Sequence, residues 1–314
     1  MVDRPASPDP TTDAEPTPGS NLPALARLLA EHWALHAEDI TPLAGGMNSL
    51  TWEVRSGSDR WVAKAVPPES KDGFVLGLDL AKRLEGTGIP AGAPVLTAGG
   101  LSAVPFAGRV MALLRWVEGR ALTGESGTEL EVMGTTLARA HRALGTHDSN
   151  GTAPARLYLP SDHLDVRPWL RPVITEVMAG LDDADLRTLT WGPVHGDPAP
   201  EVFRLDPASG VCGMIDWSGA GVWPRAYDLA ALVMYRGAYS MRPLIDAYVA
   251  EGALTHDEVE RALRPLLDFR WAGQAVYFAG RIARGDLTGI DDPAVNEAGL
   301  EAAHRWFADR DDSC

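Results

Sequence analysis

Two aspartates, Asp197 and Asp216, stand nineteen residues apart, each at the edge of an apolar run: Val194-His195-Gly196-Asp197 and Met214-Ile215-Asp216-Trp217. Between them Glu201 to Leu205 and Val211 to Trp217 read as two short strands joined by the turn Asp206-Pro207-Ala208-Ser209-Gly210. A hairpin of that span brings both carboxylates to one cleft. One carboxylate that accepts a hydroxyl proton and one that holds Mg2+ are what phosphoryl transfer asks of a protein, since catalysis there is mostly positioning and charge neutralisation. A third group sits far upstream, Lys64 within Trp61-Val62-Ala63-Lys64-Ala65-Val66. Strand alternation puts it on the same face as Val62 and Val66, where an unpaired ammonium is costly, so it calls for a carboxylate partner.

The elements that must position these groups fall into two halves. Asn21 to His36 is predicted to be a helix, with Leu22, Leu25, Leu28, Leu29 and Trp33 at helical spacing and Pro23 in its first turn. Ile40 to Leu43, Leu50 to Val54 and Arg60 to Val66 then form a strand meander, punctuated by Gly45-Gly46 and Ser56-Gly57-Ser58-Asp59. A helix over Phe74 to Leu84 follows, then short strands at Pro94 to Thr97, Ala103 to Phe106 and Arg109 to Trp116. From Thr128 the periodicity becomes helical: a stripe through Met133, Leu137, Ala140 and His141, then Leu170 to Leu181, Tyr227 to Tyr239, Met241 to Glu251, Asp257 to Gly280 and Asn296 to Ala308. No internal repeat is visible.

Composition narrows the partners. The 314 residues are 45% hydrophobic, enough for a real core, and 28 Lys+Arg against 43 Asp+Glu leave a formal charge of −15. Only Lys64, Lys71 and Lys82 are lysines, and no basic run offers nucleic acid a footing. The acidic field favours approach of a small polycation instead. Cys212 and Cys314 are too few for a disulfide framework, which fits free thiols in a reducing cytoplasm. No run reaches the roughly 18 apolar residues of a membrane span. Residues 1–20, rich in proline and acids without an apolar segment, read as a disordered tail and not as a secretory signal.

His195-Gly196-Asp197, Ile215-Asp216-Trp217 and Ala226-Tyr227-Asp228-Leu229-Ala230, preceded by Leu137-Ala138-Arg139-Ala140-His141 and Glu118-Gly119, form an ordered set over residues 37–235. The set resembles the aminoglycoside (antibiotic) phosphotransferase family, whose fold is similar to that of the protein kinases. The resemblance implies an α+β, two-lobed fold, with residues 21–116 as a small β-rich nucleotide-binding lobe and 117–314 as a larger helical lobe for catalysis and acceptor binding. It implies Asp197 as the base, His195 as its support, Asp216 as the Mg2+ ligand and Asp228 as a brace for the following helix. Lys64 would hold the α- and β-phosphates of ATP or GTP. Gly45, Gly46, Asn48 and Ser49 would cover the phosphates, and Leu114, Arg115 and Val117 would frame the base at the hinge. Counting back from Gly88-Ile89-Pro90, Asp79 falls where the family has the glutamate that pairs with the lysine, with Glu85 as the fallback.

One position breaks the pattern. Five residues after the base the family usually has Asn, a second Mg2+ ligand, and here stands Val202. Glu201, one place earlier, is the expected replacement, because Mg2+ takes carboxylate oxygen readily and Pro198 and Pro200 fix the loop path. On the acceptor side the candidates are Trp217, Tyr235, Trp271, Glu297 and Glu301, the last two sharing a helix face at i, i+4. The expected acceptor is a hydroxylated cationic antibiotic, an aminoglycoside or a basic peptide such as a tuberactinomycin. The alternatives are a metabolic kinase for a sugar, choline-like or amino-alcohol acceptor, and a non-catalytic nucleotide-binding protein in which Val202 has cost the metal.

Overall fold

The computed structural model describes residues 21–43, 47, 49–147, 159–183, 186–236 and 241–311. The expected tail, Gly45, Gly46, Asn48 and Cys314 lie outside the described residues. The first half of the chain contributes α1 (Leu22–Trp33), β1 (Asp39–Pro42), β2 (Leu50–Ser56), β3 (Asp59–Val66), α2 (Lys71–Glu85), β4 (Val104–Phe106) and β5 (Arg109–Arg115). The five strands form one antiparallel sheet in the order β1-β2-β3-β5-β4.

Pleating divides the sheet into two faces. Trp52, Ala63, Ala65, Met111 and Leu113 pack with the fully buried Leu25 and Leu29 of α1. On the opposite face Val66 and Ala112 pack with Phe74 and Leu78 of α2, and Lys64, opposite Ala112 in the register, opens to the same side. Burying each of those leucines is worth about 1.5–3 kcal/mol. The predicted strand at Pro94 to Thr97 reduces to a single bridge, Pro94 with Leu114, because proline lacks the donor that a ladder needs.

The second half adds β6 (Arg120–Ala121), α3 (Gly127–Leu144), α4 (Leu170–Asp183), β7 (Trp191–Val194), β8 (Phe203–Leu205), β9 (Cys212–Met214), β10 (Gly221–Pro224), α5 (Ala226–Arg236), α6 (Arg242–Ala250), α7 (His256–Arg284) and α8 (Ala294–Asp311). Its core is helical, with α3 against α6, and α7 against α4, α5 and α8. Ser126 caps α3 through the Glu129 N–H, and Thr255 caps α7 through that of Glu258. Two small antiparallel sheets, β6-β8-β9 and β7-β10, sit among these helices. The predicted hairpin shortens on both sides, since Pro200–Val202 forms a 3-10 turn ahead of β8 and only Cys212–Met214 remains extended in the return strand. The asparagine-like position Val202 is buried, and its carbonyl accepts the Ile215 N–H at 2.9 Å.

Candidate active site

Asp216 follows β9 in a left-handed conformation (φ 66°) and turns its carboxylate back across the lobe boundary. Lys64 Nζ donates to Asp216 Oδ1 at 2.6 Å, and Ser218 Oγ donates to the same oxygen at 2.6 Å. Partial burial opposes ionisation of Asp216, but the Lys64 ammonium overrides it and holds the carboxyl below the ordinary aspartate range. The partner of Lys64 is therefore not Asp79, which faces solvent on α2, nor Glu85, which accepts from the Ala93 N–H at 2.7 Å and lies 3.7 Å from Arg115. Helix α2 meets the cleft with Gly77 instead, where any Cβ would stand 1.9 Å from the Trp217 carbonyl oxygen.

Asp197 emerges from β7 on a loop held from below. His195 is buried, with Nε2 on the Ile215 carbonyl at 2.9 Å and Nδ1 accepting the Asp197 N–H at 3.3 Å, so both ring nitrogens are committed to backbone. Gly196 has φ +88°, and a Cβ there would strike the Gly219 carbonyl, which restricts the position to glycine. The fully buried Asp228 accepts the N–H groups of His195 (2.7 Å) and Gly196 (2.9 Å) and contacts His141 Nε2 at 3.0 Å. His141 Nδ1 in turn meets the Tyr248 hydroxyl at 2.6 Å. The Asp197 carboxylate itself is half exposed and receives Tyr235 Oη at 2.7 Å and Arg270 Nη2 at 2.8 Å, both on Oδ1. No motif marks Arg270, because helical periodicity shows which positions face the core and not which arginine turns inward.

Of the expected phosphate loop, Ser49 Oγ lies 3.4 Å from Thr51 Oγ1, and the Met47 carbonyl accepts from Arg281 Nη1 at 3.2 Å. Arg281 is almost fully buried and also meets Asn296 Oδ1 at 2.8 Å and the Thr288 carbonyl at 2.7 Å. At the hinge, Leu114 stands opposite Val62 on the Lys64 face of the sheet. The Arg115 N–H is bound to the Ala93 carbonyl, and Val117 is buried beside Gly213.

Residues 39–266 match the phosphotransferase enzyme family, a span that contains Lys64, Asp197 and Asp216. The chain belongs to that family. It is 25% identical over 236 residues to a homoserine kinase of Methylobacillus glycogenes, covering 70% of this chain and 73% of that protein. Among solved structures it is similar to an amicoumacin kinase in complex with AMP-PNP, Ca2+ and Ami (TM-score 0.68, 17% identity, 92% of this chain and 94% of that one). It is also similar to the GDP complex of wild-type aminoglycoside 2'-phosphotransferase-IIIa (TM-score 0.62, 15% identity, 92% and 99%). The fold is thus the two-lobed, protein-kinase-like α+β fold, and the chain is a phosphotransferase with a hydroxyl acceptor.

The phosphotransferase's donor set can be tested against a divalent cation. Among the described residues no group of three or more His, Cys, Asp or Glu side chains could enclose a metal. Mg2+ does not require such a cage, since it is commonly held by one or two carboxylates together with substrate phosphates. Asp216 fits that use, because Lys64 and Ser218 occupy one of its oxygens and the other has no partner among the described residues. Glu201 is exposed in the Pro200–Val202 turn, four residues after Asp197.

The acceptor-side expectations divide. Tyr235 reaches Asp197. Trp217 does not line the cleft: its side chain is buried, its indole N–H donates to the Met214 carbonyl at 2.8 Å, and its ring lies against His195. The structure assigns it to packing because α2 closes directly over its backbone. Trp271 is half-buried and stacks with Trp306 of α8. Glu297 is paired with Arg167 at 2.6 Å, and Glu301 lies 3.7 Å from His304. Among the described residues, no helix is long and apolar enough to cross a membrane.

Proposed function

We propose that this phosphotransferase moves the γ-phosphoryl group of ATP or GTP to a hydroxyl of a hydroxylated antibiotic, with residues 21–116 binding the nucleotide and 117–314 the acceptor. Asp197 acts as the base that orients and deprotonates the hydroxyl, and Lys64 holds the α- and β-phosphates. Asp216, with Glu201 in place of the missing asparagine, would hold Mg2+, which when bound neutralises charge between the β- and γ-phosphates. The observation that carries this reading is the matched state of the two carboxylates. Asp197 and Asp216 each direct one oxygen to protein donors and leave the other without a partner among the described residues.

A second reading, an amino-alcohol kinase, is favoured by two observations. Sequence relatives are named homoserine kinases, and Glu297, expected to attract a polycation, is already neutralised by Arg167. Assay of kanamycin, spectinomycin, capreomycin and L-homoserine with ATP or GTP, with and without Mg2+, separates the readings. Transfer to an antibiotic, abolished by Asp197→Ala, supports the first, and transfer to L-homoserine alone supports the second. Nucleotide binding without turnover of any acceptor would overturn both and leave a nucleotide-binding protein.

A further inference from the structure

Helix α7 delivers to the proposed base a side chain that neither the motifs nor the family comparison assigns. Arg270 is largely buried, with 14% of its side chain exposed, and each terminal nitrogen is committed. Nη1 donates to the Tyr227 hydroxyl at 2.8 Å and the Gly196 carbonyl at 3.3 Å, while Nη2 reaches Asp197 Oδ1 at 2.8 Å. The guanidinium carbon also lies 5.2 Å from the centre of the Tyr227 ring. Its Nε is buried with no hydrogen-bond partner among the described residues, an uncompensated polar atom kept in a packed helix. A fold that tolerates this gains the placement of Nη2.

We propose that Arg270, assisted by Tyr235, is a positioning residue for phosphoryl transfer: it fixes the rotamer of Asp197 so that Oδ2 faces the acceptor hydroxyl. The inference rests on the reading of Asp197 as the base. An aspartate on a solvent-facing loop has free rotation about χ1 and χ2, and two donors on one oxygen remove it. The positive charge serves a second purpose. A bare carboxylate beside the triphosphate repels it, and a guanidinium bonded to that carboxylate cancels the repulsion where the γ-phosphoryl must pass. In a loose transition state the orientation of the base is what phosphoryl transfer depends on most.

The test uses the full-length chain, with the acceptor turned over in the panel above, and the variants Arg270→Met, Arg270→Lys, Tyr235→Phe and Asp197→Asn. Arg270→Met is expected to lower kcat about 100-fold while leaving the KM for Mg·ATP within about 2-fold. Arg270→Lys should recover part of the loss, and millimolar guanidinium chloride should restore activity to Arg270→Met and not to Asp197→Asn. Tyr235→Phe should lower kcat by about 3–10-fold. The inference is overturned if Arg270→Met keeps kcat within about 3-fold of the parent. It is equally overturned if the variant loses activity with a lowered Tm and neither lysine nor guanidinium rescues it, which marks a purely structural role. If Arg270→Met does not fold, Arg270→Lys decides by the same split between kcat and KM. An active Asp197→Asn would instead sink the base assignment itself, so the two failures are distinguishable.

Discussion

Lys64 Nζ and Asp216 Oδ1 lie 2.6 Å apart although 152 positions separate them in the chain, and the contact joins β3 of the first lobe to the turn after β9 in the second. The pair joins the ammonium of one lobe to the carboxylate of the other, the one proposed above to hold Mg2+. Its charge state is robust, because the Asp216 carboxyl is held low by Lys64 against the opposing effect of burial and stays ionised throughout the neutral range. Lys64→Met removes the ammonium and leaves Asp216 without its counter-ion. The expected outcome is a fall in kcat/KM for the nucleotide of about 100-fold or more, read in steady-state assays. A variant within a few-fold of the parent would show that the ammonium does not act on the phosphates.

Glu201 is the proposed substitute for a missing ligand. Glu201→Ala is expected to raise the Mg2+ concentration for half-maximal turnover by about 10–100-fold, with recovery at high Mg2+. Unchanged Mg2+ dependence would remove Glu201 from the metal site.

Gly77 tests the close approach of α2 to the turn that carries Asp216. Gly77→Ala places a methyl group 1.9 Å from the Trp217 carbonyl oxygen and is expected to destabilise the chain by about 1–3 kcal/mol, with weakened nucleotide binding. Gly180→Ala on the exposed face of α4 has open space around it and should be neutral or stabilising by up to about 1 kcal/mol. Thermal unfolding with and without Mg·ATP compares them, and equal Tm values would contradict the packing argument.

The legible part of this architecture is the part governed by local spacing. Alternation in β3 placed Lys64 among Val62 and Val66 and demanded a partner for it. Counting back from Gly88-Ile89-Pro90 on the family's pattern points to Asp79, a choice that knows only the neighbourhood in sequence, whereas the actual partner arrives from the other lobe. Trp217 beside the motif aspartate looked like a cleft residue, but its position is decided by a glycine in α2, a tertiary fact with no local mark. Arg270 and Arg281 are illegible for a related reason. Both interrupt apolar positions of a long helix, as several exposed arginines of the same helix do, and only the structure distinguishes them.

The buried network under the Asp197 loop sets an acid limit. Burial depresses the pKa of His141 despite the neighbouring Asp228, and the Asp228 carboxyl is also held below its ordinary value against burial by His141 and the loop amides. The unfolded chain therefore binds more protons than the folded one at these sites, and stability rises with pH. The histidine contribution is intact above its ordinary value of 6.5 and is lost as the pH falls below it, and the aspartate contribution follows below 3.8. Tm is expected to decline between pH 7 and pH 5, with a shallower slope in His141→Gln. An identical slope in the variant would assign the acid sensitivity elsewhere.

Arg270 and Arg281 sit eleven residues apart on one uninterrupted helix, close to three full turns, so both point to the same side along roughly 16 Å of axis. One grips the Asp197 carboxylate and the other the Met47 carbonyl, in the segment expected from the sequence to cover the phosphates. Adding or deleting a single residue between them would rotate one arginine by about 100° and detach it. The ten residues between them, 271–280, therefore accommodate substitution more readily than a change of length, and insertions in this lobe are expected at the helix ends or in the loops beyond them.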